Sequence, residues 1–432
     1  MNKLFTLMLA LAVTLTVAGQ QVKQEISENK CLSGSNHLAY PGPSQERLTP
    51  APKGYRPFYI SHYGRHGSRY LIGQDEYDVP VKALARADSM GKLTPLGADV
   101  LRRARLLKEE AKGRLGELTP LGAEQHRQIA RRMYGRFPEV FKGDVTVDAK
   151  STVVIRCILS MENELQELLR LNPKLVIKHD ASEHDMYYMN LSDRALSAKK
   201  TPRRAVVAWN EYCAGRVRCM PLMQRLFNDE AYVKYEVDTL DLARRLFKLA
   251  SNVQSSPLGE EMTLYDIFTD DELYGFWQAD NASWYIGYGA CTLNGATQPF
   301  SQRNLLRNII HETDSCIALE HPGATLRFGH ETMVLPLTCL LDINGYGLST
   351  GDLGQLEERG WVNYRIFPMG ANIQLVFFRK DAKDGDVLVK VLLNENEATL
   401  PLPSDLAPYY RWSDFKDFYL KKLDAYSSSV FN

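Results

Sequence analysis

The sequence predicts an α/β domain interrupted by a mostly helical one, and three observations predict it. Strand-like runs at 56–62, 174–178 and 325–328 alternate with amphipathic helical stretches, the order that builds a sheet flanked by helices. Between about 192 and 300 the strand character gives way to helical periodicity, as in 235–249. Two strand-like runs lead into glycine and then histidine, at Gly64-Arg65-His66-Gly67 and Gly329-His330-Glu331. Loops at strand ends are where α/β folds place their binding groups. The expected organisation is a signal peptide at 1–19, an N-terminal arm at 20–50, an α/β domain at 51–191 and 301–432, and a helical insertion or cap at 192–300.

The N-terminus justifies the first of these. Met1-Asn2-Lys3 gives a short positive start, and 4–17 is apolar apart from three threonines. Ala18-Gly19 supplies small residues before a polar stretch, so the segment reads as a signal peptide cut near Gly19. It is shorter than the ~20 residues a membrane span needs. The chain is therefore expected to be periplasmic or secreted, with no membrane insertion after cleavage. Seven cysteines accompany this, so at least one is unpaired; Cys213 and Cys219 are close enough in sequence to pair. Lys+Arg and Asp+Glu both number 52, for zero formal charge. That balance gives no reason to expect nucleic acid or an anionic membrane as partner, and any anion site must be local. Oligomeric state is not encoded legibly.

Further along, Leu93-Thr94-Pro95-Leu96-Gly97-Ala98 and Leu118-Thr119-Pro120-Leu121-Gly122-Ala123 repeat one phrase. Thr followed by Pro marks a helix start. Residues 144–147 and 152–155 read as strand material, 161–171 as a helix closed by Asn172-Pro173, and 304–317 as another helix. Residues 372–379 and 387–393 read as β.

Chemistry concentrates at Arg65-His66-Gly67-Ser68-Arg69. Two guanidinium groups flank one imidazole, and arginine forks match phosphate oxygens. Adjacent cations disfavour protonation of the imidazole, which keeps it nucleophilic. In Arg327-Phe328-Gly329-His330-Glu331-Thr332 a second strand ends in glycine, histidine and a carboxylate. There His330 can donate to a phosphate oxygen and Glu331 can protonate a leaving alkoxide. His311-Glu312-Thr313 repeats the triplet inside a helical run and reads as structural. Arg156 follows an apolar run, where an arginine needs a partner or a ligand. His62 and His66 stand four apart but not on a helix, so no metal is expected.

These segments resemble the histidine acid phosphatase family. Arg65-His66-Gly67-Ser68-Arg69 matches its RHGxR signature, 152–160 with Arg156 and Ser160 resembles its following Arg-x-x-x-Ser segment, and 327–332 with Leu335-Pro336-Leu337 resembles its distal histidine motif. Gly370 to Val376 and Leu392-Leu393-Asn394-Glu395 are similar to the multiple inositol polyphosphate phosphatase branch. The resemblance covers roughly 50–400. It implies a histidine-phosphatase-like mixed, largely parallel central sheet flanked by helices, and a small-molecule phosphate monoester as substrate, with inositol polyphosphates such as phytate first. It also implies His66 as nucleophile, Glu331 as proton donor, and Arg65, Arg69, Arg156 and His330 as phosphate ligands. No cofactor is implied, because three guanidiniums take the place of a cation. His179, His184 and Asn372 are further candidate substrate contacts. One departure stands out. The inositol phosphatase branch usually reads His-Ala-Glu-Thr, whereas here Glu331 takes the Ala place and Thr332 the Glu place. Other members carry Asp directly after the histidine, and Glu331 resembles a lengthened form of that arrangement.

Overall fold

The computed structural model describes residues 20–382 and 385–431; the expected signal segment at 1–19 lies outside them. Eight strands form one sheet: β1 (Arg56–Arg65), β2 (Thr146–Ser151), β3 (Val176–Asp180), β4 (Gly323–Gly329), β5 (Asn372–Arg379), β6 (Leu388–Leu393), β7 (Asn396–Glu397) and β8 (Tyr409–Arg411). Their order is β3-β2-β4-β1-β5-β6-β7, with β8 pairing β6. The β3-β2-β4-β1 half is parallel, and β5 joins β1 antiparallel. The sheet is thus mixed and largely parallel at its centre.

Alternation along β1 and β5 explains the two faces. Tyr59, Tyr63, Ile373, Leu375 and Phe377 point to one core, while Ile60, Val376 and Phe378 point to the other. Each such fully buried side chain contributes about 2 kcal/mol of apolar burial. The helices used below are α1 (Gln74–Ser89), α2 (Pro95–Glu110), α3 (Pro120–Arg136), α4 (Ile155–Leu171), α5 (Arg203–Cys213), α6 (Thr239–Val253), α7 (Asp270–Tyr288), α8 (Arg303–Ile317) and α9 (Glu331–Leu341). Residues 192–300 supply helices and turns and no strand of the sheet among the described residues. A third core packs α1 and α2 against α6 and α7, so a boundary at 191/192 cuts through one packed helical layer.

Three local readings need correction. Residues 152–155 are not a strand: β2 ends at Ser151 and α4 begins at Ile155. Val153 and Ile155 are exposed, so their β-branching reflects no pleated surface. Arg156 consequently sits in the first turn of α4, not at a strand end. The periodic run at 235–249 is divided at Asp238, whose side chain caps α6 by accepting from the Asp241 N–H at 3.0 Å. All seven cysteines are free, Cys213 and Cys219 included. Among the described residues, no helix is long and apolar enough to cross a membrane.

The repeated phrase turns out to be one device used on two partners. Thr94 and Thr119 each cap a helix, accepting from the N–H of Gly97 at 3.1 Å and of Gly122 at 3.2 Å. The glycines allow close backbone approach: a Cβ at Gly97 would overlap the Leu226 carbonyl, and one at Gly122 the Ser68 carbonyl. The second copy thereby clamps the loop that carries His66. Gly122→Ala is expected to push that loop aside and lower activity about 10–100-fold. Gly97→Ala should lower the melting temperature comparably with a much smaller activity loss. Steady-state rates and thermal melts on both variants test this, and equal activity losses would remove the clamp.

Candidate active site

His66 leaves the carboxyl end of β1 with its backbone pinned on both sides. Its N–H donates to the Gly329 carbonyl at 2.9 Å, and its carbonyl accepts from the Gly370 N–H at 2.9 Å. The ring is fully buried, and Nδ1 lies 2.9 Å from the Gly67 carbonyl. A carbonyl can only accept, so Nδ1 carries the proton and Nε2 keeps its lone pair. No protein group hydrogen-bonds Nε2. Burial, reinforced by Arg65 and Arg156, holds the His66 pKa well below that of an ordinary imidazole, against the opposing pull of Glu331. The ring is therefore neutral at pH 7.

Arg65 is buried beside it. Its guanidinium donates to the Phe367 carbonyl at 2.7 Å, and its Nε lies 3.1 Å from Glu331 Oε2. Burial lowers its pKa to about 10, so it remains charged near neutrality. Glu331 opens α9 and reaches back over the loop, placing Oε2 3.6 Å from His66 Nε2. Burial alone would raise its pKa; the Arg65 and Arg69 guanidiniums outweigh that and hold the carboxyl well below its usual range. His330 stands next to it with its ring centre 5.7 Å from that of His66. Nε2 of His330 is 3.3 Å from Thr152 Oγ1, and burial lowers its pKa to about 4. One ligand atom each from His66, His330 and Glu331 lies within 4.8 Å of the others.

The remaining predicted residues divide cleanly. Arg69 is buried, with one N–H on the Tyr70 carbonyl at 2.9 Å and Nε unpaired. Arg156 is half-buried, its Nε also unpaired, and its charge acts on His66, Arg65 and His330. Ser160 explains the Arg-x-x-x-Ser spacing: its hydroxyl donates to the Arg156 carbonyl at 2.8 Å and accepts from the Gly67 N–H at 3.1 Å. That ties α4 to the loop. The first turns of α4 and α9 bring two helix N-termini to the site, which favours an anion.

Three candidate substrate contacts lie elsewhere. His179 is exposed and pairs with Glu162 at 2.8 Å. His184 lines a separate groove with Lys150, Asp148 and His311. Asn372 is fully buried, and its amide is spent on Tyr40, Gly370 and Gln374; it braces the sheet behind the loop. Arg327, inside the distal motif, turns away from the site to Ser61, Asn308 and Glu312. That gives the second His-Glu-Thr triplet its structural use, since Glu312 offsets a buried guanidinium. Sequence reasoning missed Cys157, whose thiol donates to the Gly329 carbonyl at 3.3 Å, and His37, whose ring senses Arg69, Arg65 and Glu331. His37 lies in the N-terminal arm with no motif around it.

A family model described as the histidine phosphatase superfamily (branch 2) matches residues 65–394. A search of curated proteins found no match. Among solved structures, the multiple inositol polyphosphate phosphatase of Bifidobacterium longum, in complex with inositol hexasulfate, is 18% identical with a TM-score of 0.75, covering 89% of this chain and 96% of that one. The phytase of D. castellii is 15% identical with a TM-score of 0.66, covering 91% and 85%. The Hafnia alvei phytase apo form is 15% identical with a TM-score of 0.52, covering 86% and 98%. At such identities the likeness is one of fold.

Proposed function

This chain belongs to the histidine phosphatase superfamily, branch 2, and from that premise we propose that it hydrolyses phosphate monoesters through a phosphohistidine on His66. One observation carries the reading. Two segments distant in sequence deliver a neutral imidazole with a free Nε2, a buried guanidinium, a second imidazole and a carboxylate to one small space. In the first step Nε2 attacks phosphorus as the ester P–O bond breaks, and the departing oxygen takes a proton from Glu331. Water then attacks the phosphohistidine and gives its proton to Glu331, releasing inorganic phosphate and neutral His66. Arg65, Arg69, Arg156 and His330 hold the non-bridging oxygens and offset developing charge.

Glu331 must arrive protonated at the first step, yet Arg65 keeps it ionised in the free protein. An incoming phosphate resolves this. Its negative charge competes for Arg65, which raises the carboxyl's proton affinity, so binding carries a proton to Glu331. Glu331→Gln is then expected to slow alkyl esters about 100–1000-fold and aryl esters, whose leaving groups need less help, much less. Paired kcat measurements check it; an unchanged alkyl-to-aryl ratio removes Glu331 from the donor role.

Inositol polyphosphates, phytate included, are the substrate class to which the inositol phosphatase motifs and the neighbours' fold point. Phosphate release across phytate, sugar phosphates and nucleotides, with alkaline-quench trapping of phosphate on His66, tests the chemistry and the class together. Export completes the reading: a mature N-terminus near Gln20 in the periplasm or medium supports it, and an intact Met1 in the cytosol refutes it.

A further inference from the structure

Leu392-Leu393-Asn394-Glu395 takes no part in the phosphoryl chemistry, yet the fold gives it a place of its own. β6 and β7 pair Leu393 with Asn396, which leaves Asn394 and Glu395 as a two-residue hairpin loop. Both are left-handed, with φ of 51° and 64°, the conformation that a type I′ turn demands. Asparagine suits the first position and glycine the second. Glutamate at the second costs backbone free energy that glycine would spare, so the reason for it lies in its side chain.

That side chain is 1% exposed. Arg132 of α3 grips it as a fork, with Nη2 donating to Oε2 at 2.7 Å and Nε to Oε1 at 2.9 Å. Tyr40 donates to Oε2 at 2.8 Å, and Arg136, one turn along α3, donates to the Glu395 carbonyl at 2.6 Å. α3 is the helix whose Gly122 abuts the Ser68 carbonyl. Its Gln125 accepts from the Ser68 N–H at 2.8 Å and donates to the Ser68 hydroxyl at 3.0 Å. Glu395 therefore fixes the helix that supports the catalytic loop from one side.

Asn394 fixes the other side. Its amide donates to the Arg365 and Ile366 carbonyls at 3.0 and 3.2 Å. Its Oδ1 accepts from the Asn372 N–H at 3.1 Å, and its own N–H donates to the Asn372 carbonyl at 2.8 Å. Between these anchors, residues 367–371 clasp Arg65 and His66. The Phe367 carbonyl accepts from the Arg65 guanidinium at 2.7 Å. The Ala371 carbonyl accepts from the Arg65 N–H at 2.7 Å, and the Gly370 N–H donates to the His66 carbonyl at 2.9 Å. The Asn372 amide links the two sides by donating to the Tyr40 hydroxyl at 3.2 Å.

We propose that the Asn394-Glu395 turn is a positioning element for the nucleophile: it holds α3 and the 365–372 segment at one point and thereby sets the line along which His66 Nε2 meets phosphorus. Its effect on rate rests on the phosphatase reading; the coupling of turn to loop does not. Asn394→Gly keeps a residue at home in the left-handed region and removes only the side-chain bonds. It should lower kcat about 10–100-fold. Inorganic phosphate, whose ligands Arg69, Arg156 and His330 lie outside the clasp, should still compete within about threefold of its parental strength. Glu395→Gly eases the backbone and should nonetheless lower kcat about tenfold. Glu395→Gln, which keeps the length and one acceptor oxygen, should recover part of that loss, and it carries the same test should Asn394→Gly not fold.

The control is Val389→Ala, a fully buried position of β6 that lowers stability without touching either anchor. It should lower the melting temperature and leave kcat within about twofold where all variants are folded. Hydrogen exchange over 64–71, read by mass spectrometry, needs no substrate; it should quicken in Asn394→Gly and not in Val389→Ala. An unchanged kcat in folded Asn394→Gly, or an equal loss in Val389→Ala, overturns the positioning role. If the parent releases phosphate from no ester, hydrolysis is what fails, and exchange alone then decides. Faster exchange confined to Asn394→Gly upholds the coupling, and equal exchange in the two variants ends it.

Discussion

His66→Ala is expected to lower phosphate release by at least about 10⁴-fold, the scale on which nucleophile deletions fall. The Gly67 carbonyl fixes the proton on Nδ1, burial and two guanidiniums keep the ring uncharged, and Nε2 faces the cup without a protein partner. Alanine removes the only nitrogen so prepared. His330 does not substitute, because its ring centre is 5.7 Å away and its Nε2 faces Thr152. Arg65, Arg69 and Arg156 stay, so the variant should still bind inorganic phosphate within about tenfold of the parent. Loss of a buried ring costs about 1–3 kcal/mol of stability, and circular dichroism with thermal melts separates that from the kinetic loss. Retention of a tenth of the parental kcat in a folded variant would end the phosphohistidine reading.

Much of this site was legible because its chemistry is written contiguously. Arg65 to Arg69 carry a histidine between two arginines, and Arg327 to Glu331 an arginine, a histidine and a carboxylate, within five residues each, at strand ends where glycine opens the backbone. The fold class followed from the same places, since β1, β4 and β5 are apolar runs buried on both faces. What sequence hid is whatever depends on the direction of a side chain. Arg327 opens the distal histidine motif, yet β4 turns it toward Glu312. Val153 and Ile155 read as strand, yet they lie exposed where α4 begins. Asn372 begins a strand at the right height, but its amide faces Tyr40 and Gln374. His37 acts through Arg69, Arg65 and Glu331, all distant in sequence, and no local pattern announces it.

A second large effect concerns acid. His37, His62, His66 and His330 are all buried, and burial is the leading cause that holds each below the ordinary imidazole range. The values fall to about 3 for His62 and about 4 for His330. In the unfolded chain the same rings titrate near 6.5. Below that pH the unfolded state binds protons that the folded state refuses. Their contribution is therefore whole above about pH 6.5 and is lost as pH falls toward the folded values, at up to about 1.4 kcal/mol per pH unit for each ring. All four rings are shifted in the same direction, so their effects add between pH 6 and 5. A domain with about 5–15 kcal/mol to lose is then expected to give up a substantial part of its stability as pH falls from 6 to 5. Glu331, also depressed, adds to the loss only below its ordinary range near pH 4.5. Urea melts at pH 7, 6 and 5 should give falling midpoints with a steepening slope. His62 offers the decisive variant, because both its ring nitrogens lack partners and its ring packs 5.4 Å from that of Phe328. His62→Phe keeps the shape, removes one titrating group and should flatten the slope by about 1.4 kcal/mol per unit. An unchanged slope in that variant would mean that the acid sensitivity comes from elsewhere.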